Sequence, residues 1–324
     1  MATAMNILRM IASDRFIWLL SGAVLLAVLL PVRGAAVSIA HFISSSGIFL
    51  IFLLHGIKLE RREVISGLRN IRLQSAIFGF VFGVMLVTGF IASKVMENFL
   101  PHDLALGFLF LGVLPSTVQS ATSYCSIAKG NVAASIVASA LLNLTGIFIT
   151  PLLFAFLASA SGVTVTSDAI LRVLSILLLP FILGQVIQHW LRPIVLAKKK
   201  LVGWMDRIAI SIAVYVSFSG AVVAGAWFKI SELQLFILAA GLGVVLVIGF
   251  VGAWRLGAFL QLPRPDRKTL LFSGAQKSIA IGAPLAVIIF SQDRSGVVLL
   301  PLLLYHLTQL IISAPLALHL ARDS

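Results

Sequence analysis

The chain has 324 residues, 60% hydrophobic and only 11% charged, yet its formal net charge is +13; mean hydropathy is +1.10 and the sequence pI about 10.8. A water-soluble globular chain carries roughly a quarter of its residues as Asp, Glu, Lys or Arg and interleaves them with apolar positions. Here the apolar positions run together, which excludes an ordinary soluble domain. The placement of the basic residues then decides between nucleic acid and membrane topology as the meaning of the charge.

Stretches free of Asp, Glu, Lys and Arg cover 16–32, 34–57, 73–93, 104–128, 130–167, 173–191, 208–228, 233–254 and 295–321, and a tenth, 269–292, is interrupted only by Lys277. About 20 apolar residues carry a helix across the hydrocarbon core, so the pattern predicts ten transmembrane helices. The 130–167 stretch holds one span plus a loop around Ser159 to Ser167. The first stretch is flanked by Arg15 and Arg33 and lacks a small-residue cleavage site, so it reads as an uncleaved helix.

With the connections assigned alternately, one side collects 18 Lys and Arg, and the other collects five: Arg33, Lys94, Arg172, Lys229 and Arg294. The basic side, which holds Arg9, Arg61, Arg62, Arg69, Lys198 and Lys268 among others, is cytoplasmic by the positive-inside rule, with both termini inside. Six carboxylates (Asp14, Glu60, Glu63, Asp206, Asp266 and Asp323) fall inside and five outside. The inner face is thus +12 and the outer face neutral, with Lys277 left in the membrane. No basic surplus remains for nucleic acid. The Lys58 to Arg72 connection and the Lys198 to Lys200 run read as solvated cytoplasmic loops at the lipid headgroups. The single cysteine, Cys125, excludes an intrachain disulfide and a Cys-based metal cluster.

The midpoint falls in the Ser/Gly/Thr-rich linker 158–167, with five predicted spans on each side. An odd number per half inserts the second half from the opposite face, the condition for an inverted repeat of 1–157 by 168–324. Polar interruptions fall in matching places: LPSTVQSATSYCS (Leu114 to Ser126) in the fourth span and FSGAQKSIAIGAP (Phe272 to Pro284) in the ninth. Ser116, Thr117, Gln119 and Ser120 accompany Pro115 in one; Ser273, Gln276, Lys277 and Ser278 accompany Gly282 and Pro284 in the other. Backbone groups freed by Pro and Gly cannot face lipid, so such helices are buried in protein or line a wet cavity. Paired broken segments point to a midplane binding site; close helix packing by small residues is the competing explanation.

The carboxylates all map to loops or span ends, leaving Lys277 as the only interior charge. An ammonium there costs about 2.5–3.5 kcal/mol even on lenient insertion scales, so it needs backbone carbonyls, an anionic substrate, or loss of its proton. His306 lies mid-span with Gln309 at i+3, either a packed polar pair or a ligand site. His55, near the end of the second span, reads as structural. Gln74 stands among apolar residues of the third span, and Ser135, Ser139 and Asn143 form a stripe on the fifth. Converging hydroxyls and amides are oxygen ligands for a hard cation such as sodium, or interhelical glue. The large apolar pocket walls are expected to be Phe, Leu and Ala. No nucleophile, base and orienting acid can be assembled, which argues against an enzyme.

These residues carry a resemblance. GIFLIFLLHGIKLE (Gly47 to Glu60), LQSAIFGF (Leu73 to Phe80), the block from Leu111 to Leu153, SGAQKSIAIGAPLA (Ser273 to Ala286) and LLLYHLTQLI around His306 are similar to the bile acid:sodium symporter superfamily, in its prokaryotic branch allied to solute carrier family 10 member 7. The resemblance covers essentially the whole chain. It implies an all-α membrane fold of ten helices in two inverted five-helix repeats. Discontinuous helices four and nine cross in a core domain, and helices one, two, six and seven form a panel that moves against it. It also implies cation ligands at Gln74, Ser120, Thr122, Ser135, Ser139 and Gln276. The ETGxQN-type motif of sodium-coupled members departs here at two places, Phe272 for Glu and Lys277 for Asn. The expectation is therefore at most one sodium, or a proton, per cycle, with a fixed positive charge in place of one cation.

The function expected is secondary transport of a small organic anion across a bacterial inner membrane, with Ser116, Thr117, Gln119, Asn143, Ser273, Lys277, Ser278, His306 and Gln309 around the substrate. No other cofactor is expected; the partners are lipid and substrate, and oligomeric state is left open. A regulatory membrane protein acting on calcium or envelope homeostasis without transport is a second possibility. A third, metalloid efflux, expects a Cys beside the proline of span four, and Cys125 lies ten residues beyond Pro115.

Overall fold

The computed structural model of the chain describes residues 15–59, 70–159 and 167–322. Arg9, Asp14, Glu60, Arg61, Arg62, Glu63, Arg69, Asp323 and linker positions 160–166 lie outside the described residues. The described part is all helix: α1 (Arg15–Leu29), α2 (Ala36–Lys58), α3 (Ile71–Met96), α4 (His102–Val113), α5 (Gln119–Ile127), α6 (Val132–Ser159), α7 (Leu171–Ala197), α8 (Lys199–Val223), α9 (Glu232–Phe259), α10 (Arg264–Ala275), α11 (Ile279–Ile289) and α12 (Gln292–Arg322).

Local chemistry sets the ends. Pro31 follows α1, where the pre-proline residue is pushed out of helical geometry. Ser231 and Gln234 close a capping box on α9. Pro265 sits in the first turn of α10, where a missing N–H costs nothing. Two single π-helical turns, Phe80–Val84 inside α3 and Leu174–Leu178 inside α7, open the regular ladder.

Eight of the helical segments, with α10 and α11 taken as one, are long and apolar enough to cross a bilayer, and α1 and α4 are shorter apolar helices. Large apolar side chains face outward, among them Phe42, Phe156, Phe236 and Phe259 at 71–83% exposure. A surface of that kind is stable only against lipid. The chain is an all-α, multi-pass membrane protein.

The helices overrun their charge-free limits. Lys94 lies in the last turn of α3, Arg255 lies inside α9, and α10 begins at Arg264, five residues ahead of the 269 limit. The Lys198 to Lys200 run is not a loop: Lys198 marks the joint where α7 ends and α8 begins at Lys199. A charged residue at a span end keeps its helical hydrogen bonds while its stem reaches the interface, so charge marks the membrane boundary and not the helix boundary.

α2 packs along α7, and α8 packs on α1 and α2; α3 packs on α4, α9 on α10, and α12 on α4, α5, α8 and α11. In the broken pair α10–α11, 89% of the most apolar window is buried, against 28% for α2, α3 and α7. The least helix-like span is thus the one most wrapped in protein. Close approach holds α2 to α7: a Cβ on Gly56 would lie 2.2 Å from Phe181 O, and one on Gly184 2.3 Å from Leu53 O. Gly184→Val is expected to force these helices apart, at about 1–3 kcal/mol or more. Detergent-solubilised protein should then melt several degrees lower. Gly22→Ala, with nothing within 4 Å of the added carbon, should melt as the parent does.

Candidate functional site

α4 stops at Val113 because Leu114 turns extended before Pro115, and regular helix resumes only at Gln119. α10 stops at Ala275, Gln276 to Ser278 run non-helical, and α11 starts at Ile279. The two breaks lie against each other, with Ser278 N–H donating to Pro115 O at 3.0 Å. Each freed backbone group must find a partner in this dry interior, and side chains supply several of them.

One amide ties three elements together. Thr117 and Ser120 hydroxyls both donate to Gln276 Oε1 at 2.7 Å, and Gln276 Nε2 donates to Ser313 Oγ of α12 at 3.1 Å. A second amide grips the adjacent peptide: Lys277 N–H donates to Gln309 Oε1 at 2.8 Å, and Gln309 Nε2 donates to Lys277 O at 3.0 Å. Gln309 Nε2 also stands 2.9 Å from His306 Nδ1, so the i+3 spacing does place both on one face.

Lys277 is fully buried, and its Nζ donates to Leu114 O at 2.7 Å, Gly112 O at 3.0 Å and Val81 O at 3.5 Å. Gly112 and Leu114 belong to the C-terminal end of α4, where carbonyls lack intrahelical partners and the helix dipole is negative. Val81 belongs to the π turn of α3. Of the partners open to Lys277, backbone carbonyls of a broken helix are the ones observed. A cage of carbonyl oxygens is the environment in which a cation is held.

Hydroxyls form a second cluster behind the first break. Thr122 Oγ1 and Ser273 Oγ each lie 3.3 Å from Ser135 Oγ, joining α5, α6 and α10. Ser139 Oγ donates to Thr117 O at 3.4 Å, and Asn143 Nδ2 donates to Ser139 O at 2.8 Å. Gln74 is buried and donates to Ala134 O at 3.1 Å, one residue from Ser135.

A cavity of about 650 Å³ lies against these breaks. Thr117, Gln119, Ser120, Asn143, Ser278 and His306 are on its wall, and the first residues of α5 and α11 line it together. Ser116, Ser273, Lys277 and Gln309 are not wall residues; they stand behind it as support. Among the described residues Ser116 Oγ is buried without a hydrogen-bond partner. The apolar wall holds the expected Phe, Leu and Ala and adds isoleucine to them. Isoleucine is its commonest apolar residue, and Phe, Leu and Ala, among them Phe16, Phe52, Leu144 and Ala140, make up most of the rest.

Three charged residues on the wall escaped sequence reasoning. Asp206 is not in a connection but in the second turn of α8, where Lys58 Nζ bonds it at 3.0 Å and His55 Nε2 lies 3.5 Å away. Arg207 follows it, 5.7 Å from the Trp204 ring that Arg15 approaches from α1. His55 is accordingly both an ion-pair partner and a cavity residue. An Asp six residues beyond the last lysine of a basic run, where apolar residues begin, was the available signal. Lys277 is also not alone as a buried ionisable residue. Lys268 and Asp266 are 2% and 9% exposed, and Asp266 accepts from Asn70 at 3.0 Å and Asn131 at 2.8 Å. Cys125 is buried, 3.3 Å from Thr269 Oγ1, and is not on the cavity wall.

Comparison with known proteins places this geometry. The family model described as the SBF-like CPA transporter family matches residues 14–322. An uncharacterized protein of Pseudomonas aeruginosa is 36% identical over 310 residues, covering 95% of this chain and 93% of its own length. The putative symporter YfeH of Escherichia coli is 33% identical, covering 96% and 94%. Sodium/bile acid cotransporter 7 of Danio rerio is 26% identical, covering 95% and 94%. Matched over nearly all its length, the chain belongs to the SBF-like CPA transporter family, within the bile acid:sodium symporter superfamily, a family of membrane transporters and not of enzymes.

Proposed function

We propose that the chain is a secondary active transporter of a small amphipathic organic anion that works by alternating access in a bacterial inner membrane, both termini cytoplasmic. In this reading the molecule has ten spans, with α4–α5 and α10–α11 counted as one each, arranged as inverted repeats 1–157 and 168–324. Helices α1, α2, α7 and α8 form a panel, and the remaining helices form a core around the crossed breaks.

The observation that carries it is the cavity of about 650 Å³, bounded on one side by α1, α2 and α8 and on the other by the starts of both α5 and α11. Helix starts present unpaired N–H groups and a positive dipole end, which favours an anionic group. Isoleucine and phenylalanine around them suit an apolar body, and Arg207 adds positive charge on the same wall, where Lys58 is paired with Asp206.

Coupling falls to at most one exchangeable sodium or proton per cycle. The oxygens of Thr122, Ser135 and Ser139, with Gln74, Ser120 and Gln276 nearby, are the ones that would take sodium. The Lys277 ammonium occupies the other carbonyl cage as a tethered cation. Sodium dependence of uptake or of melting temperature should therefore follow a Hill coefficient near one. A coefficient near two would overturn the single-ion assignment. Substrate class is tested by melting the purified protein against organic anions in sodium, potassium or choline salts. A ligand at about 100 times its Kd adds roughly 2.7 kcal/mol of stability. A failure of every amphipathic anion to stabilise the protein in any of the three salts would contradict the reading.

A further inference from the structure

We propose that His306 is a proton-binding site that controls the break between α10 and α11. The Gln309 amide cannot be flipped, because Lys277 N–H needs its oxygen at 2.8 Å and Lys277 O needs its nitrogen at 3.0 Å. The second N–H of Gln309 Nε2 therefore points to His306 Nδ1, 2.9 Å away, and Nδ1 must accept it. That bond exists only while Nδ1 carries no proton. Protonation turns it into a donor, and two donors at hydrogen-bond distance must part. Lys277 O already lies 3.3 Å from Nδ1, so the imidazolium can take this carbonyl while Gln309 swings away. Proton uptake at one ring nitrogen thus replaces a two-point clamp on the Lys277 peptide with a single bond.

His306 is 4% exposed but reaches the cavity wall, which gives a proton its route, and Phe16 of α1 packs edge-on to its ring at 6.2 Å. Of the ionisable groups around α12, α2 brings His55 and Lys58 to the same wall, and α8 brings Asp206 and Arg207. α5 brings Tyr124, whose hydroxyl donates to Leu310 O at 3.0 Å. α1 brings Arg15 beside Phe16, and α4 carries His102 and Asp103 at its far end, where Asp103 pairs with Arg294. α9 carries Glu232 and Arg255 near its ends, and α11 has no ionisable residue. Within α12, Tyr305 donates to Ala275 O, and the Lys277 ammonium is turned toward α3 and α4. Among the described residues, the Asp206 carboxylate is thus the one acidic group sharing the cavity wall with His306.

The inference deepens the transport reading by naming a coupling proton, and its test needs no substrate. Hydrogen–deuterium exchange of the full purified chain, corrected for intrinsic rate, is followed at about pH 5.5 and about pH 8, the two sides of imidazole titration. Peptides spanning 276–279 should exchange at least about threefold faster at the lower pH, while α9 peptides do not change. His306→Asn keeps an acceptor near the Nδ1 position but cannot be protonated, so the break should exchange slowly at both pH values. Gln309→Met removes the clamp and should exchange fast at both. A flat wild-type profile, retained pH dependence in either variant, or an equal change in α9 would overturn the proton site. Such a result leaves anion transport standing, since that reading depends on ligand stabilisation.

Discussion

Replacing Lys277 by Met should abolish transport and lower the melting temperature of the purified protein by several degrees, the largest effect expected of any single substitution. The side chain is fully buried and its ammonium satisfies three backbone carbonyls from two helices. Methionine leaves no buried charge behind but strands these carbonyls, and each stranded polar group in a dry interior costs about 1–3 kcal/mol. The chemistry offers a specific control. Lys277→Ala leaves the carbonyl cage intact with space where the amine stood, so ethylammonium added to this variant should raise its melting temperature and restore part of its uptake. The same amine should do nothing to the parent. Melting at the parent temperature with full uptake in Lys277→Met would show that the cage does not need a cation.

Gln276→Leu is expected to be nearly as damaging, for a different reason. Its amide accepts two hydroxyls from the first break and donates to α12, so leucine strands Thr117, Ser120 and Ser313 at once. Three orphaned groups at about 1–3 kcal/mol each do not add fully, because the hydroxyls can rotate toward one another. Thr117 and Ser120 already stand 2.5 Å apart. Gln276→Glu separates geometry from charge. A carboxylate still accepts hydrogen bonds from both hydroxyls and from Ser313, but it is an unpaired charge at a fully buried position, so without sodium this variant should melt below the parent. It should also bind sodium more tightly, since it adds an anion beside the hydroxyls of Thr117 and Ser120. Both outcomes are read from melting curves with and without sodium.

The breaks at Pro115 and at Gln276 to Ser278 were legible in the sequence because hydroxyls, Pro and Gly in an apolar stretch have no stable place against lipid. Their contact was not legible as a set of bonds. Lys277 finds Val81 196 residues away, in a helix whose sequence around Phe80 is wholly apolar. The acceptor there is a backbone carbonyl exposed by a π turn, and backbone geometry leaves no mark on side-chain pattern. Asp206 was misplaced for a related reason: a charge scan equates the end of an apolar run with the end of a helix, whereas α8 begins seven residues earlier, at Lys199. The pair His306 and Gln309 was readable from i+3 spacing alone, because a helix puts such residues on one face. Its grip on the Lys277 peptide needed the break to be built first.

Alternating access is tested most directly by reaching the cavity from each side of the membrane. In a Cys125→Ser background, Ala140→Cys places one thiol on the cavity wall. Its reaction with a membrane-impermeant maleimide is then measured in right-side-out and in inverted vesicles. A cycling transporter should label from both faces, with the balance between them shifted by sodium or by pH. Labelling from one face only, under every ionic condition, would contradict it and favour a protein that does not carry substrate across the membrane.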